Sequence, residues 1–175
     1  MLLIALLAAC FPGPAAAPKD PASPDPAAAF DARHAAFLQE RGEEGRALVA
    51  QLDPAERVLA SCTGAFSASE ASDLVYALAR PGAPRFEIRD ASGRLVSSVV
   101  MPADGVASVE LQCLTPREVA ERNAFFAEPG SIVLGDIASG GRAAVCTYDE
   151  ERPSFSCFAL DSARSVWSPA GGWTT

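Results

Sequence analysis

Three groups of residues in this sequence could do chemistry: five cysteines, a single histidine and one run of carboxylates. The histidine, His34, would have to act as the base of any Ser-His-Asp or Cys-His site. It shares one face of a predicted first helix with Phe30 and Phe37. A histidine on such an apolar stripe is more often a packed side chain than a catalytic one. The sequence therefore favours a structural role for His34.

The carboxylates Asp149, Glu150 and Glu151 stand at the tip of a predicted hairpin, where such groups are normally solvated. They lack the alternating ligands and the central glycine of a calcium loop. We therefore expect no catalytic residue, no metal site and no cofactor. A glycosidase-type pair of carboxylates needs no histidine, so a hydrolase of that kind is kept as an alternative.

Four of the cysteines lie in the body of the chain, at Cys62, Cys113, Cys146 and Cys157. They contain no C-x-x-C pair, which disfavours a zinc or redox site. Exported proteins with four cysteines commonly form two disulfides instead. Four cysteines allow three pairings, and their spacing alone does not choose among these.

A predicted hairpin favours one of the pairings. If its turn is centred between residues 151 and 152, opposed residues have numbers that sum to 303, as those of Cys146 and Cys157 do. Directly opposed residues on antiparallel strands can lie close enough for a bridge. We therefore predict the pair Cys146–Cys157, which leaves Cys62 to pair with Cys113.

The fifth cysteine, Cys10, directly follows an apolar run of eight residues. Eight residues are too few to span a bilayer, which takes about 20, but they suit the apolar part of a secretory signal. The stretch Leu7-Ala8-Ala9-Cys10 resembles the lipobox of bacterial lipoproteins, in which a leucine and two small residues precede the cysteine that is cleaved and acylated. The resemblance implies that residues 1–9 are a signal peptide and that Cys10 carries diacylglycerol and a palmitate-type chain.

The resemblance also implies a location. The membrane, reached through the lipid on Cys10, is the first expected partner, and Phe11 in place of an Asp favours the outer over the inner membrane under the lipoprotein sorting rule. No Lys or Arg precedes the apolar run, which departs from the usual signal. Simple secretion after Ala17 and an N-terminal helix of the folded domain are the alternatives.

The next segment, residues 10–29, combines the lipidated cysteine with a Pro/Ala-rich tether. Six of the 19 residues after Cys10 are prolines, a composition that favours extended polyproline II. At about 3.1 Å per residue this tether would reach roughly 60 Å. Residues 30–175 are expected to form a single domain.

Along the chain, the predicted elements that would position these groups are helices in the first part and mainly strands in the second. Helices are predicted over 26–40, over 43–52 and, after a capping-box pattern at Ser67 and Glu70, through Leu78. Between them, residues 54–60 suit a short helix, or residues 58–66 a strand. Strands are predicted over 85–89, 94–101, 106–113, 131–134, 142–148, 154–160 and 165–167, with one helix begun by Thr115-Pro116. This order predicts an α+β fold, with N-terminal helices followed by a mostly antiparallel sheet that contains one inserted helix and two disulfides.

The excess of acidic over basic residues excludes some classes of partner. Acidic residues outnumber basic ones by 22 to 14, which argues against nucleic acid. Trp167 and Trp173 are candidates for a contact surface, because Trp is enriched at binding hot spots, although Trp167 could equally cap the core. We therefore expect a lipid-anchored envelope protein with a non-enzymatic binding or accessory role and another envelope protein as its partner. The alternatives are the carboxylate hydrolase and a purely structural envelope component.

Overall fold

The computed structural model describes residues 25–66, 73–102, 105–126, 133–135, 137, 141–149, 154–161 and 163–174. Within these ranges the chain forms two helices, one 3-10 turn and nine strands. In chain order they are α1 (Pro26–Val49), β1 (Arg57–Gly64), β2 (Asp73–Ala79), β3 (Arg85–Asp90), β4 (Leu95–Val100), the 3-10 turn (Gly105–Ser108), β5 (Glu110–Leu114), α2 (Pro116–Phe126), β6 (Val133–Gly135), β7 (Ala144–Asp149), β8 (Ser154–Asp161) and β9 (Val166–Thr174). Neither of these helices has the length and apolar character needed to cross a bilayer.

The strands form two antiparallel sheets. The first has the order β1-β2-β3-β4 and the second the order β5-β7-β8-β9-β6. The sheets contact each other on both sides, since β1 lies against β5 and β4 lies against β9. The predicted α+β class is confirmed, but its strands are divided between two sheets instead of one.

The sheets and helices stack in four layers. Alternating side chains of β2 face opposite ways, so that Val75 and Ala77 join the core between the sheets while Tyr76 joins the cluster under α1. In the same way, Val145 of β7 faces the core between the sheets and Cys146 faces the layer that contains α2. The helices therefore cover the two outer faces of a sandwich of sheets.

Helix α1 begins where the sequence predicts and bends where it predicts an end. The Asp25 carboxylate accepts a hydrogen bond from the Ala27 amide at 3.0 Å, and Pro26 occupies the first turn. Residues 26–29 of the predicted tether thus belong to α1. Gly42 adopts a positive φ of 56°, which breaks the helix into two arms. The second arm ends at Val49, three residues before the predicted end.

One predicted helix is wrong. The segment from Asp73 to Ala79 is the strand β2, paired with β1 on one side and β3 on the other. All its residues after Asp73 are buried, because α1 covers one face and the second sheet covers the other. A strand buried on both faces is a continuous apolar run, in which apolar residues also occur at helical spacing. The capping-box residues Ser67 and Glu70 lie outside the described residues.

Both predicted disulfides are present. Cys146 opposes Cys157 on the β7–β8 hairpin, two residues from the opposed pair Tyr148 and Phe155, as the register sum of 303 requires. Cys62 of β1 and Cys113 of β5 form the other bridge, with their Cα atoms 5.6 Å apart. This second bridge joins the two sheets.

Two predicted strands differ from the structure by more than two residues at one end. The strand predicted from Val106 begins instead at Glu110, after the 3-10 turn, and the short strand predicted over 165–167 is the nine-residue β9. Segment 54–66, for which helix and strand were both possible, contains β1.

Candidate functional site

The described residues include only part of the predicted site residues. Cys10 lies outside them, as do Glu150 and Glu151 of the acidic run. The backbone of Trp173 pairs with Phe155 and Val133, while its side chain is outside the described part of the chain. These residues therefore enter the account through the sequence alone.

Trp167 caps one end of the core. Its side chain is 8% exposed, and its ring packs edge-on against Phe66 with 5.2 Å between the ring centroids. The indole N–H donates a hydrogen bond to Oδ2 of Asp90 at 3.0 Å. Of the two roles expected for Trp167, this position corresponds to core capping.

The pocket beside Trp167 contains two carboxylates and has a volume of about 160 Å³. Asp90 accepts hydrogen bonds from the Ser92 amide and hydroxyl and from the Arg94 amide, and Asp73 accepts one from the Phe66 amide at 3.1 Å. Both carboxylates thus hold backbone in place.

The environment of Asp90 keeps it ionised. Burial raises the pKa of Asp90, but hydrogen bonds from Ser92 and Trp167 outweigh that effect and bring the pKa below its ordinary value. A general acid needs a raised pKa. The charge state of Asp90 therefore suits a structural role better than that of the proton donor in a carboxylate pair.

His34 is a packed side chain, as its position on the apolar stripe predicts. Its Nδ1 accepts a hydrogen bond from the amide of Val58 at 3.1 Å, which joins α1 to the start of β1. Burial, followed by the nearby Arg57 guanidinium, lowers the pKa of His34. The ring therefore stays neutral at pH 7 and can act as an acceptor.

A larger cavity, of about 340 Å³, lies on helix α2 and is called here the α2 groove. It is lined by Leu114, Glu118, Glu121, Arg122 and Phe125. Leu114 is 6% exposed and forms the apolar floor, whereas Phe125 is 63% exposed. The groove therefore combines an apolar floor, an exposed aromatic ring and two carboxylates.

Local hydrogen bonds hold both ends of α2. At its predicted start, the Thr115 amide donates to Glu118 Oε2 at 2.7 Å and the Glu118 amide donates to Thr115 Oγ1 at 3.3 Å, which together form a capping box. Near its end, the Asn123 side chain exchanges two hydrogen bonds with the backbone of Ile137. The buried Val119 lies between these anchors.

The guanidinium that lines the α2 groove, that of Arg122, is held in place by two residues of the second sheet. Arg122 lies over the ring of Phe155, 4.5 Å from its centroid, and donates a hydrogen bond to Gln112 Oε1 at 2.6 Å. The Phe155 ring in turn contacts Tyr148 at a centroid distance of 4.9 Å. Arg122 is thus positioned by β5 and β8.

The two carboxylates of the α2 groove both have hydrogen-bond partners. Hydrogen bonds from the backbone and hydroxyl of Thr115 lower the pKa of Glu118. Glu121 accepts a hydrogen bond from Arg117 Nε at 2.7 Å, in a pair in which Arg117 is 87% exposed. Exposed pairs at this spacing contribute little to stability. The groove is therefore lined by two carboxylates and the Arg122 guanidinium, and a further guanidinium, that of Arg117, pairs with Glu121.

A third cavity, of about 260 Å³, lies between α1, β1 and β5. Its two arginines already have partners, since Arg33 donates to the carbonyl of Ala107 and Arg41 donates to the hydroxyl of Ser61 at 3.3 Å. Its apolar residues Phe37 and Leu59 are buried. This cavity therefore offers less exposed apolar surface than the α2 groove.

The α2 groove was not predicted from the sequence. The capping box predicts the helix, but Phe125 and Phe126 are adjacent apolar residues, and their order does not say which one faces the solvent.

No three His, Cys, Asp or Glu side chains in the described ranges are grouped so as to hold a metal ion. No known protein family, curated protein or solved structure matches this chain.

Proposed function

We propose that this protein is a lipid-anchored component of the bacterial cell envelope, and that its folded body has a binding role rather than a catalytic one. The observation that carries the proposal is the pairing of the cysteines. Four of the five form two disulfides within the body, which leaves Cys10, the cysteine of the lipobox-like stretch, as the one available for acylation.

The disulfides support an extracytoplasmic location. Such bridges form and persist in oxidising compartments and are rare in the cytosol. The bridge between Cys62 and Cys113 joins the two sheets, which also meet through side-chain packing and through the hydrogen bond from Trp167 to Asp90. A body held together in this way suits the periplasm or the cell surface.

The lipid on Cys10 supplies the membrane affinity. Each buried methylene contributes about 0.8 kcal/mol, and more than one acyl chain is needed for lasting attachment. The lipidated cysteine meets that need with its diacylglycerol and its further acyl chain. The segment between Cys10 and Asp25 then places the body at a distance from the lipid, where it can meet another envelope protein.

The binding role is supported by the nature of the cavities. The carboxylates beside Trp167 and Glu118 of the α2 groove all accept hydrogen bonds from the backbone, but the α2 groove also has an exposed aromatic ring, that of Phe125. Exposed aromatic side chains at a fixed concave surface are typical of protein contact sites.

A fractionation experiment tests the anchor. The full chain, made in a bacterium that processes lipoproteins, should be found in the membrane fraction, resist a high-salt wash and dissolve in detergent. The variant Cys10→Ala should leave that fraction, whereas the matched control Phe11→Ala should stay in it. A Cys10→Ala protein that remained in the membrane fraction would contradict the proposal.

A further inference from the structure

The strand β4 is the edge of the first sheet that is open to another chain. Among the described strands only β3 pairs with β4, whereas β1, at the opposite edge, is joined to β5 of the second sheet by the disulfide Cys62–Cys113. The remaining edge strand, β6, has only three residues. Short strands and covalently joined edges are poor templates for a further strand. Of the described edges, β4 is therefore the one that neither device protects.

The residues of β4 favour pairing with a further strand. Leu95–Val100 consists of one leucine, three valines and two serines, without a charged residue or a proline. Natural sheets commonly protect an edge strand with such residues, because its unpaired backbone groups can bind a strand of another molecule. The side chains of Leu95 and Val100 are also 49% and 62% exposed. Taken by itself, β4 is therefore suited to self-association.

Alternate residues of β4 direct their backbone groups outwards. The Met101 amide, directly after the strand, donates to the Pro84 carbonyl at 2.9 Å and thus points towards the β3 side. In an antiparallel pair, the backbone groups of successive residues point alternately towards the neighbouring strand and away from it. Those of Ser98 and Val100 therefore point away from β3, to a side on which the described part of the chain places no strand.

The side chain of Arg85 covers part of this outer side. Arg85 opposes Val100 in the β3–β4 register. Its Nη2 donates to the Ser98 carbonyl at 2.7 Å and its Nε donates to the Ser98 hydroxyl at 3.0 Å. A guanidinium thus occupies an acceptor that a further strand would need, and it brings to the edge a charge that β4 itself lacks. We propose that Arg85 prevents β4 from pairing with the β4 strand of a second copy of this chain.

A second copy is the expected occupant because β4 matches itself. About a two-fold axis at Val99, Ser98 of one copy opposes Val100 of the other, and both of these residues have outward backbone groups. Each opposed pair would exchange both of its N–H···O bonds, which would merge the two first sheets into one. Each Ser98 carbonyl accepts one of these bonds, and it is the carbonyl to which Arg85 donates. The self-pairing is therefore blocked once in each copy.

The test compares the molar mass in solution of four full-length proteins by sedimentation equilibrium. All carry Cys10→Ala, so that neither a lipid nor the thiol of Cys10 joins two copies. The first is this parent, and the others add Arg85→Ala, Arg117→Ala or Arg85→Ala/Ser98→Pro. Arg117 is 87% exposed, and its removal makes the formal net charge of −8 more negative by the same unit as the removal of Arg85. It is therefore the matched control for charge.

We expect the parent and Arg117→Ala to be monomers and Arg85→Ala to be a dimer. Dimerisation of the parent would break one charge-assisted hydrogen bond in each copy, and each bond lowers the association constant about tenfold. The association constant of Arg85→Ala should therefore be about a hundredfold higher. Adding Ser98→Pro should restore the monomer, because proline removes an outward N–H and no bond to β3.

Amide hydrogen exchange followed by NMR identifies the strand that pairs. In the parent, the amides of Ser98 and Val100 should exchange fast, whereas that of Val99 should be protected by β3. In the Arg85→Ala dimer, the amides of Ser98 and Val100 should become protected as well. This readout decides the question even where Ser98→Pro prevents folding.

Several outcomes would overturn the proposal. They are a monomeric Arg85→Ala protein, a parent that is itself a dimer, and an Arg117→Ala protein that dimerises equally. A dimer in which the amides of Ser98 and Val100 exchange as fast as in the parent would also overturn it, as would a larger species that contains another polypeptide. All four proteins lack the acylation site, so the result is independent of the proposed lipid anchor.

Discussion

The bridge between Cys62 and Cys113 should contribute more to stability than the bridge between Cys146 and Cys157. It closes a loop of 51 residues, against 11 for the hairpin bridge. Loop-closure entropy then adds about 4 kcal/mol to the free energy of unfolding for the long loop and about 3 kcal/mol for the short one. We expect the double variant Cys62→Ala/Cys113→Ala to lose about 4 kcal/mol.

The two loops do not overlap along the chain, so their entropic contributions should add. Reduction of both bridges would then lower the free energy of unfolding by about 7 kcal/mol. Natural domains have a net stability of only about 5–15 kcal/mol. The reduced body should therefore be close to unfolding, which fits a protein made for an oxidising compartment.

Packing adds a second effect that differs between the bridges. Cys146 and Cys157 are 0% and 1% exposed, so alanine at both positions also leaves a cavity, whereas Cys62 and Cys113 are half-buried. The cost of removing the long bridge should therefore be mainly entropic. Alanine at Cys146 and Cys157 should therefore cost more than the loop-closure value of about 3 kcal/mol, whereas reduction, which keeps both sulfur atoms, should cost about that value.

Equilibrium unfolding in urea, followed by tryptophan fluorescence, measures these losses. The buried Trp167 reports on the core between the sheets, and all variants carry Cys10→Ala so that no free thiol can exchange. Adding a reductant to the Cys62→Ala/Cys113→Ala variant isolates the hairpin bridge. A loss of less than about 1 kcal/mol on removal of the long bridge, with an unchanged denaturant slope, would refute the loop-entropy argument.

Three further predictions concern single side chains. His34→Ala leaves the buried amide of Val58 without its acceptor, so we expect a loss of about 1–3 kcal/mol in urea unfolding. The pKa of His34 is lower in the folded protein than in the unfolded chain, so on acidification the unfolded chain takes up a proton first. The free energy of unfolding of the unsubstituted protein should therefore fall as the pH falls below about 6.5. The His34→Ala variant should show a smaller dependence of stability on pH. Trp167→Phe removes the indole N–H that donates to Asp90, which should lower the free energy of unfolding by about 1.5–3 kcal/mol. It should also raise the pKa of the Asp90 carboxyl, as measured by an NMR titration. An unchanged pKa of Asp90 would contradict the hydrogen bond. Glu118→Ala opens the capping box, so amide exchange in the first turn of α2 should quicken, with a loss of about 1 kcal/mol, and unchanged exchange rates would contradict the capping role.

The hairpin disulfide could be predicted because local rules fix it. The pairing register of β7 and β8 follows from the centre of their turn, and the register decides which residues oppose each other. The cap of α2 was likewise predictable, since Thr115 and Glu118 satisfy each other within one turn. Features set by neighbours in the sequence were therefore recovered.

Features that depend on distant parts of the chain could not be predicted from the sequence. Strand β2 was predicted as a helix because its burial depends on α1 and on the second sheet, which the local pattern does not contain. Most of β9 was missed because Pro169 and two glycines are typical of loops. The structure explains these residues: Pro169 lies beside a bulge, and a Cβ at Gly172 would overlap the carbonyl oxygen of Phe155.

The α2 groove is also a feature that distant parts of the chain determine. Its members come from β5 and α2, and the position of Arg122 depends on Phe155 of β8. The exposure of Phe125 is a property of the assembled layers, so the sequence predicts the helix but not its contact surface. Trp167, a candidate on residue type alone, is instead fixed in the core by Asp90.

Mass spectrometry of the mature protein from the membrane fraction would detect the lipid on Cys10. We expect the N-terminal peptide to begin at Cys10 and to carry the mass of a diacylglycerol on its sulfur, while the other four cysteines are found as Cys62–Cys113 and Cys146–Cys157. A mature chain that begins after Cys10, or a Cys10 found as a free thiol or in a disulfide, would contradict it.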